Sequence, residues 1–526
     1  MSPPSDTSKA APITGIRFAL IFVGLALSIF LAALDQTIVA TAIPKIGLEF
    51  QDFERVPWIG TAFLLTTAAF SPIYGKLADI FGRKMTFMFA ITTFEVGSAI
   101  CGAAVSMDML IIGRAVAGVG GGGIFSLVLI IIADLVEFKD RGKFQGIIGA
   151  CFGLASVVGP LVGGAFTDHL SWRWCFYINL PLGFVTIIVV LLFLNMPASL
   201  GSVREKIKRI DFLGSVVLIG AVVCILLPVQ SGGTEWAWNA PQTIALFIVG
   251  GVLAIAFVLI ELKFAAEPII PASVFMNRSV PIIILMSALL GAAFISLSFY
   301  IPVFFQIVYG QTATQAGIAQ IPLVLCVVFC SIASGLIVSR TGTYTVFYYV
   351  GFVLLGVGAY LVSLFDESSG SGPRIGFLVV CGCGIGLVIQ MRIIGVQASV
   401  DRAHIAVATA LTNFGQTLGG CLGLAIIGAI FNNQMRSGLT AASLPQALVD
   451  TVVQSPTAIY QIPGLPASTI ATIVHVFVEA DSYAMRCVIP FAGLAFLLSL
   501  GVKQYRQEFK AKPDAVKDDT VIIAEA

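Results

Sequence analysis

Four charged side chains stand well inside long apolar runs of this 526-residue chain, away from the ends of the runs. Asp35 lies in the second half of the first run, Glu95 in the middle of the third, Arg114 near the start of the fourth and Arg392 in the twelfth. A charge in the hydrocarbon core of a membrane is costly, so such residues usually mark ion or substrate pathways. We interpret Asp35 as an acid with a functional role that can bind and release a proton, with Glu95 as a second candidate. The alternative for Asp35 is a structural cap or helix hydrogen bond.

Arg392 allows two interpretations. It can anchor an anionic substrate or pair with an acid inside the membrane, or its long side chain can reach back toward the cytoplasm. The second interpretation is favoured by the sequence, because Gln397 and Asp401 follow closely.

The composition predicts the class of protein. Hydrophobic residues make up 58% of the chain and charged residues only 11%, with a mean hydropathy of +0.99. Soluble domains carry about 25% charged residues. Such a chain cannot bury its apolar surface in one aqueous core, so it is predicted to be an all-α polytopic membrane protein.

Several other functional classes lack support in the sequence. The three histidines are scattered, and no phosphate-binding GxxxxGK[ST] loop is present, so neither an enzyme site nor a nucleotide site is expected. A net charge of +1 argues against a nucleic-acid partner. We expect no metal and no cofactor.

Apolar runs of a length that spans a bilayer number fourteen. They lie near 18–43, 57–75, 85–105, 109–133, 144–166, 175–195, 212–231, 242–264, 280–302, 315–338, 346–365, 375–397, 406–432 and 484–502.

The distribution of Lys and Arg predicts the orientation. With both termini in the cytoplasm, most basic residues fall in cytoplasmic loops, as the positive-inside rule requires. The one glycosylation sequence, Asn277-Arg278-Ser279, then faces the cytoplasm, so no glycosylation is expected. The predicted regions are a disordered N-terminal tail (1–16), a six-helix half (17–196), linkers with two extra spans (197–279), a second six-helix half (280–502) that includes a long extracellular loop (433–482), and a cytoplasmic tail (503–526).

A short charged loop separates the second and third runs. Its pattern, G-x-x-x-D-x-x-G-R-K, covers residues 75–84, and its glycines allow the chain to reverse. The same glycine spacing recurs at 335–342 without the acid, which indicates two repeated halves. We predict a conformational latch between this loop and the inner end of the fourth span, formed by Gly75, Asp79, Gly82, Arg83, Asp134 and Arg141.

These motifs together resemble a known family. The 75–84 loop resembles the signature of the major facilitator superfamily, and 34–39 with Ile43-Pro44 resembles the first-span motif of its fourteen-span drug:proton antiporters. Residues 114–120 resemble the arginine motif of the fourth span, although Ala117 stands where that family usually has glutamine. The segments 172–181 and 300–306 resemble fungal efflux pumps. The fifth span carries an antiporter-like motif, made of Gly153, Gly159, Pro160, Gly163 and Gly164.

The resemblance implies two six-helix major facilitator halves with two extra helices between them, working by alternating access. It ties Arg114 to proton transfer, with Asp35 or secondarily Glu95 as the coupling acid. It implies export rather than import because the fifth-span motif marks exporters. The expected activity is proton-driven efflux of drugs, toxins or secondary metabolites by a monomer in the plasma membrane, or alternatively the vacuolar membrane. Two other possibilities stay open: a proton-coupled symporter of a small solute or siderophore, and a non-transporting membrane sensor.

Polar and aromatic side chains in the cavity-forming spans are the candidates for substrate contact. They are Gln36, Phe299, Gln306, Gln390, Arg392, Asn413 and Gln416.

Overall fold

The computed structural model describes residues 15–52, 55–196, 201–232, 236–454, 456–461 and 465–505. Nearly all of the predicted N-terminal tail and all but the first residues of the predicted C-terminal tail lie outside these ranges. Within the described ranges the regular structure is helical, apart from one isolated bridge between Gly232 and Trp236. The prediction of an all-α chain is confirmed.

Seven helices form the first half of the molecule. They are α1 Ile16–Phe50, α2 Trp58–Phe81, α3 Arg83–Gly102, α4 Met107–Leu135, α5 Phe138–His169, α6 Trp174–Tyr177 and α7 Asn179–Phe193. A connecting region follows, with α8 Val203–Lys208, α9 Phe212–Ser231 and α10 Pro241–Lys263.

Ten helices form the second half. They are α11 Ser279–Val308, α12 Ala313–Ala319, α13 Ile321–Thr341, α14 Thr345–Val362, α15 Ser371–Ile389, α16 Met391–Ala398, α17 Ile405–Ala441, α18 Gln446–Gln454, α19 Ala467–Arg486 and α20 Val488–Ser499. Short 3₁₀ turns lie at Ala272–Phe275, Arg402–His404 and Pro456–Gln461.

A helix lies at each of the fourteen predicted runs. In the described part of the chain, 13 helical segments are long and apolar enough to cross a membrane, which supports a polytopic membrane protein. The helix α2, which is 24 residues long, is not among the 13. It carries Lys76 and Asp79 near its end and several threonines along its length. The number of fourteen spans therefore stays a prediction.

Each half has its own buried core, and the two extra helices pack beside them. The pair α9 and α10 joins a separate apolar cluster with α2, in which Leu218, Val222 and Leu226 contact Leu65 and Ala69. These helices therefore lie at the side of the bundle, as an insertion between two repeated halves would.

The repeated glycines make equivalent contacts between the halves. We call the end of the bundle that carries the 75–84 loop the loop end. There, Gly75 of α2 packs on α17, and a Cβ at this position would stand 3.1 Å from the Ala406 carbonyl oxygen. Its counterpart in the repeat, Gly335 of α13, packs directly on Gly142 of α5. The Gly335 contact has no room for a Cβ and the Gly75 contact is tight, so the helix backbones approach closely where the halves close.

Residues 433–482, which were predicted as a long loop, are helical over most of their length. The helix α17 continues to Ala441, α18 follows, and α19 begins at Ala467. The amphipathic stretch near 471–478, which was predicted to lie on the membrane surface, packs instead against α17 and α11, with Ile473 and Phe477 buried. An apolar stripe serves equally well for either contact, so the sequence pattern could not separate them.

Candidate functional site

A buried ion pair joins α1 and α4. The Arg114 guanidinium donates from Nη1 to Asp35 Oδ2 at 2.5 Å, and from Nε to the Ile59 carbonyl oxygen at 2.9 Å. The guanidinium carbon also lies 4.4 Å from the centre of the Phe63 ring. Asp35 is 0% exposed and Arg114 is 2% exposed. Two predicted residues, far apart in the sequence, therefore form one charge-compensated pair.

Asn179 completes this network, and the sequence analysis gave it no role. Its Nδ2 donates to Asp35 Oδ1 and to Ser98 Oγ, both at 3.1 Å. Asn179 is the first residue of α7, and α6 before it places the Phe176 ring 5.8 Å from the Arg114 guanidinium. The signal was present in the sequence, because the only other amide in the apolar run 175–195 is Asn195, at its end.

Glu95 lies one helical turn from the network. It stands three residues before Ser98 on α3 and packs on Gly183, which stands four residues after Asn179 on α7. Only a glycine leaves space there for the carboxyl group. Glu95 is 8% exposed, and neither of its carboxyl oxygens has a hydrogen-bond partner. The two predicted acids therefore lie close together, but Asp35 has an arginine and an amide as partners whereas the Glu95 carboxyl group has no hydrogen-bond partner.

A central cavity lies between the two halves, and five predicted substrate residues line it. They are Gln36, Gln390, Arg392, Asn413 and Gln416. Gln230 of the extra helix α9 joins them, as do three phenylalanines, which are Phe125, Phe152 and Phe294. The wall is therefore mostly apolar with a few polar groups, as is typical of small-molecule sites.

The structure does not bring Phe299 or Gln306 to the cavity. Phe299 is 53% exposed on the outside of α11, and Gln306 is absent from the described lining. Phe299 lies five residues after Phe294, which turns it roughly 140° around the helix from the residue that does face the cavity.

The 75–84 loop forms part of the predicted latch. Arg83 donates from Nη1 to Asp79 Oδ1 and from Nε to Asp134 Oδ2, both at 2.8 Å, so it ties the loop to the end of α4. Gly82 has φ 89°, a conformation that favours glycine, at the reversal between α2 and α3.

Arg141 acts differently from the prediction, because it binds across the halves. It donates to the carbonyl oxygen of Ala133 at 2.5 Å and to Gln397 Oε1 of α16 at 3.4 Å. Gln145 donates to the same oxygen at 3.2 Å, and Gln397 donates onward to Thr409 Oγ1 at 3.2 Å. This buried amide network, which the sequence did not suggest, joins α5 to α16 and α17 at the loop end.

The fifth-span motif packs α5 on three neighbours. Gly159 and Gly163 lie against Thr37 and Ile38 of α1. Gly153 meets Val328 of α13. The other two members face α12, where Pro160 lies 3.7 Å from a Cβ position at Gly317, and Gly164 lies near Thr314.

The corresponding glycines of the second half show the same arrangement. Gly415, Gly419 and Gly423 of α17 pack on α11 at Ile284, Ala288 and Ala292. The α5–α1 contact of the first half thus has its equivalent in the α17–α11 contact of the second.

Comparison with known proteins places this geometry in a family. The family model described as Major Facilitator Superfamily matches residues 25–424. The "MFS-type efflux pump MFS1" of Arthroderma benhamiae is 43% identical over 442 residues, covering 83% of this chain and 82% of the relative. The "Efflux pump aflT" of Aspergillus parasiticus is 40% identical, covering 82% and 85%. The "Efflux pump aunC" of Aspergillus niger is 37% identical over 513 residues, covering 97% and 90%.

Solved structures show the same fold at low identity. The human organic anion transporter MFSD10 (TETRAN) matches with a TM-score of 0.60 and 14% identity, covering 92% of this chain and 100% of that one. A bacterial homologue of the human lysosomal transporter Spinster, in an inward-facing and unoccupied conformation, matches with a TM-score of 0.58 and 15% identity, covering 93% and 98%.

Proposed function

The chain belongs to the major facilitator superfamily, and from this premise we propose that it exports hydrophobic organic compounds in exchange for protons. Membership makes it a membrane-embedded transporter of a small molecule rather than an enzyme. Export is supported by relatives at 37–43% identity that are named efflux pumps. The compounds are drugs, toxins or secondary metabolites, and the exporter works as a monomer in the plasma membrane.

Three consecutive residues of α1 carry the proposal of proton coupling. Asp35 pairs with Arg114, Gln36 lines the cavity, and Thr37 donates to the Ala155 carbonyl oxygen of α5 at 3.1 Å. Because successive helix residues point about 100° apart, one turn of α1 borders the acid network, the cavity and the fifth-span motif. A change of charge at Asp35 that moves α1 therefore reaches both the cavity and the neighbouring helix.

The proposed cycle uses this arrangement for alternating access. A proton from the outside neutralises Asp35 and weakens its attraction for Arg114, and the halves rock apart at the loop end. The cavity then opens to the cytoplasm, where the proton leaves and the compound enters. Re-formation of the ion pair and closure of the Gly142–Gly335 contact return the loaded cavity to the outside. The proton gradient is the energy source, with no nucleotide or cofactor.

Transport in inside-out membrane vesicles tests this proposal. The probes are three dyes that share one coumarin body and carry a carboxylate, a neutral carboxamide or a quaternary ammonium group. With an acidic lumen, at least one dye should accumulate in vesicles that contain the protein, and Asp35→Asn should abolish the dependence on the pH gradient. Asp108→Asn is the matched control, because Asp108 lies on α4 with Arg114 but its side chain is 69% exposed.

Each other outcome points to a different function. Movement of dye out of the acidic lumen together with protons would indicate a symporter. Accumulation that ignores the gradient would remove proton coupling, and binding of dyes without any movement would indicate a sensor. A fluorescent fusion of the chain, viewed beside plasma-membrane and vacuolar markers, decides between the two membranes.

A further inference from the structure

The wall of the central cavity carries one charge. Among the described residues that line it, Arg392 is the only charged side chain, and no Asp, Glu, Lys or His accompanies it. It is 4% exposed and lies on the short helix α16, all eight residues of which are buried. The side chain therefore does not reach back to water, which excludes the interpretation that the sequence favoured.

The partners of this guanidinium are neutral. Its Nη1 donates to the Thr412 carbonyl oxygen at 3.2 Å, and its Nη2 donates to Gln416 Oε1. Its Nε has no hydrogen-bond partner, and no carboxylate of the described residues lies within ion-pair distance. A buried cation is costly unless an opposite charge or a full set of acceptors compensates it. The positive charge of the guanidinium therefore remains uncompensated at the wall of the cavity.

Packed helical backbone holds Arg392 in position. The helix α15 ends at Ile389 and α16 begins at Met391, and Gln390 between them keeps right-handed helical backbone angles (φ −95°, ψ −28°). The Tyr348 hydroxyl donates to the Met391 carbonyl oxygen at 2.8 Å and fixes the start of α16. Because packed helices rather than a loop hold the guanidinium, little ordering is needed when a ligand binds.

The wall of the same cavity is partly aromatic. The rings of Phe125 and Phe152 lie 6.2 Å apart, and Phe152 lies 6.2 Å from Phe294, so the three rings continue from one half of the molecule into the other. These surfaces suit an apolar, unsaturated body. A guanidinium matches a carboxylate or a delocalised oxyanion in geometry as well as in charge.

We infer that the preferred substrate is an organic anion with an apolar aromatic body and one carboxylate, phenolate or enolate group, which binds to Arg392. This inference rests on the proposed function and narrows its substrate class. Export of such a monoanion in exchange for one proton moves two positive charges inward per cycle. A membrane potential that is negative on the cytoplasmic side therefore drives transport of the anion more strongly than transport of its neutral analogue.

Binding to the purified full-length chain in lipid nanodiscs tests the inference without requiring transport. Fluorescence anisotropy at neutral pH compares the coumarin carboxylate with its neutral carboxamide, which has the same aromatic body. We expect the carboxylate to bind at least about tenfold more tightly, as a buried charge-assisted contact should provide. In Arg392→Gln the carboxylate should fall to the affinity of the amide, while the amide stays within about twofold of its wild-type value.

Two further variants make the result specific. Arg392→Lys keeps the charge without the planar fork, so it should retain part of the preference. Arg340→Gln is the matched control, because Arg340 is exposed at the end of α13 and distant in the fold from the cavity lining; it should bind both dyes as the wild type does. Retained binding of the amide shows that each variant is folded.

The outcomes separate this inference from the proposed function. Equal binding of the two dyes to the wild type, or an equal loss of both in Arg392→Gln, would overturn the anion site. Preferential binding of the carboxylate without accumulation in vesicles would keep the anion site and reject the exporter. Accumulation of the neutral or cationic dye in preference to the carboxylate would keep the exporter and reject the anion site.

Discussion

Arg114 in the first half and Arg392 in the second are both buried arginines, but their surroundings differ. Arg114 has a carboxylate at 2.5 Å and an aromatic ring at 4.4 Å. Arg392 has only a carbonyl oxygen and an amide oxygen, and one of its nitrogens is without a partner. The difference indicates two roles: the compensated Arg114 is tied to the acid network of the first half, whereas the uncompensated charge of Arg392 can attract an anionic ligand.

The repeated halves share their packing but not their charges. Gly75 and Gly335 make equivalent contacts with the opposite half. Four residues after these glycines, however, Asp79 stands in the first half and Ser339 in the second. The two halves are therefore alike at the close helix contacts, and they differ at the position where the first half carries the Asp79 charge.

The compensated pair should give the largest effect on stability. Asp35→Asn leaves the Arg114 charge buried without its carboxylate, and we expect a loss of about 3–5 kcal/mol. The double variant Asp35→Asn/Arg114→Gln should recover most of this loss while pH-driven transport stays abolished. Thermal unfolding of the purified chain measures the stability of the two variants, and the vesicle assay measures their transport. A double variant no more stable than Asp35→Asn would show that the pair does not act as a unit.

The closed contact at the loop end should give the next largest effect. In Gly142→Ala, a Cβ 2.6 Å from the Gly335 carbonyl oxygen forces the backbones of α5 and α13 apart. We expect a cost of about 1–3 kcal/mol and faster labelling of a cysteine introduced at the loop end. Gly60→Ala, where no atom lies within 4 Å of the added group, is the control. Unchanged labelling in Gly142→Ala would mean that the contact does not keep this end closed.

Glu95→Gln should separate the two acids of the first half. Because neither carboxyl oxygen of Glu95 accepts a hydrogen bond, the substitution should change stability by less than about 1 kcal/mol. If Glu95 carries a coupling proton, the pH profile of dye accumulation should nevertheless shift or flatten. A pH profile identical to that of the wild type would leave Asp35 as the only coupling acid of the two.

The partly exposed latch at the loop end should also have only a small effect on stability. Arg83→Gln removes ion pairs to Asp79 and Asp134, whose side chains are 26% and 30% exposed. Water and salt screen such pairs, so we expect a loss of about 1 kcal/mol or less, which shrinks further in high salt. A loss as large as that of Asp35→Asn, measured by the same unfolding assay, would contradict the distinction between buried and exposed pairs.

The sequence predicted the class of fold and several important residues, but not their partners. Asp35 and Arg114 were recognisable because charges are rare in apolar runs. Their pairing depends on the rotation and depth of α1 against α4, which no local pattern reports. The partners of Asn179 and Gln397 could not be predicted for a related reason, because an amide gains a role only from the side chains that surround it.

Periodicity had a similar limit at the end of the chain. The prediction that 471–478 is amphipathic was correct, but an apolar stripe does not show whether lipid or another helix covers it. In the structure α17 and α11 cover it. The proline and serine residues nearby lie between the helices α18 and α19 or at their ends, so the region is still mostly helical. The fold class can be predicted from composition, whereas the partner that covers each helix face is known only once the helices are packed together.

The length of α17 gives the molecule an unusual property. With 37 residues it is roughly 55 Å long, whereas the hydrocarbon core of a bilayer is about 30 Å thick. One part of this helix carries Asn413 and Gln416 at the cavity, and its far part, residues 433–441, leads to α18. A tilt of α17 at the cavity would become a larger displacement at that far part. A fluorophore attached there would report whether the cavity is occupied, without altering the residues that bind the substrate.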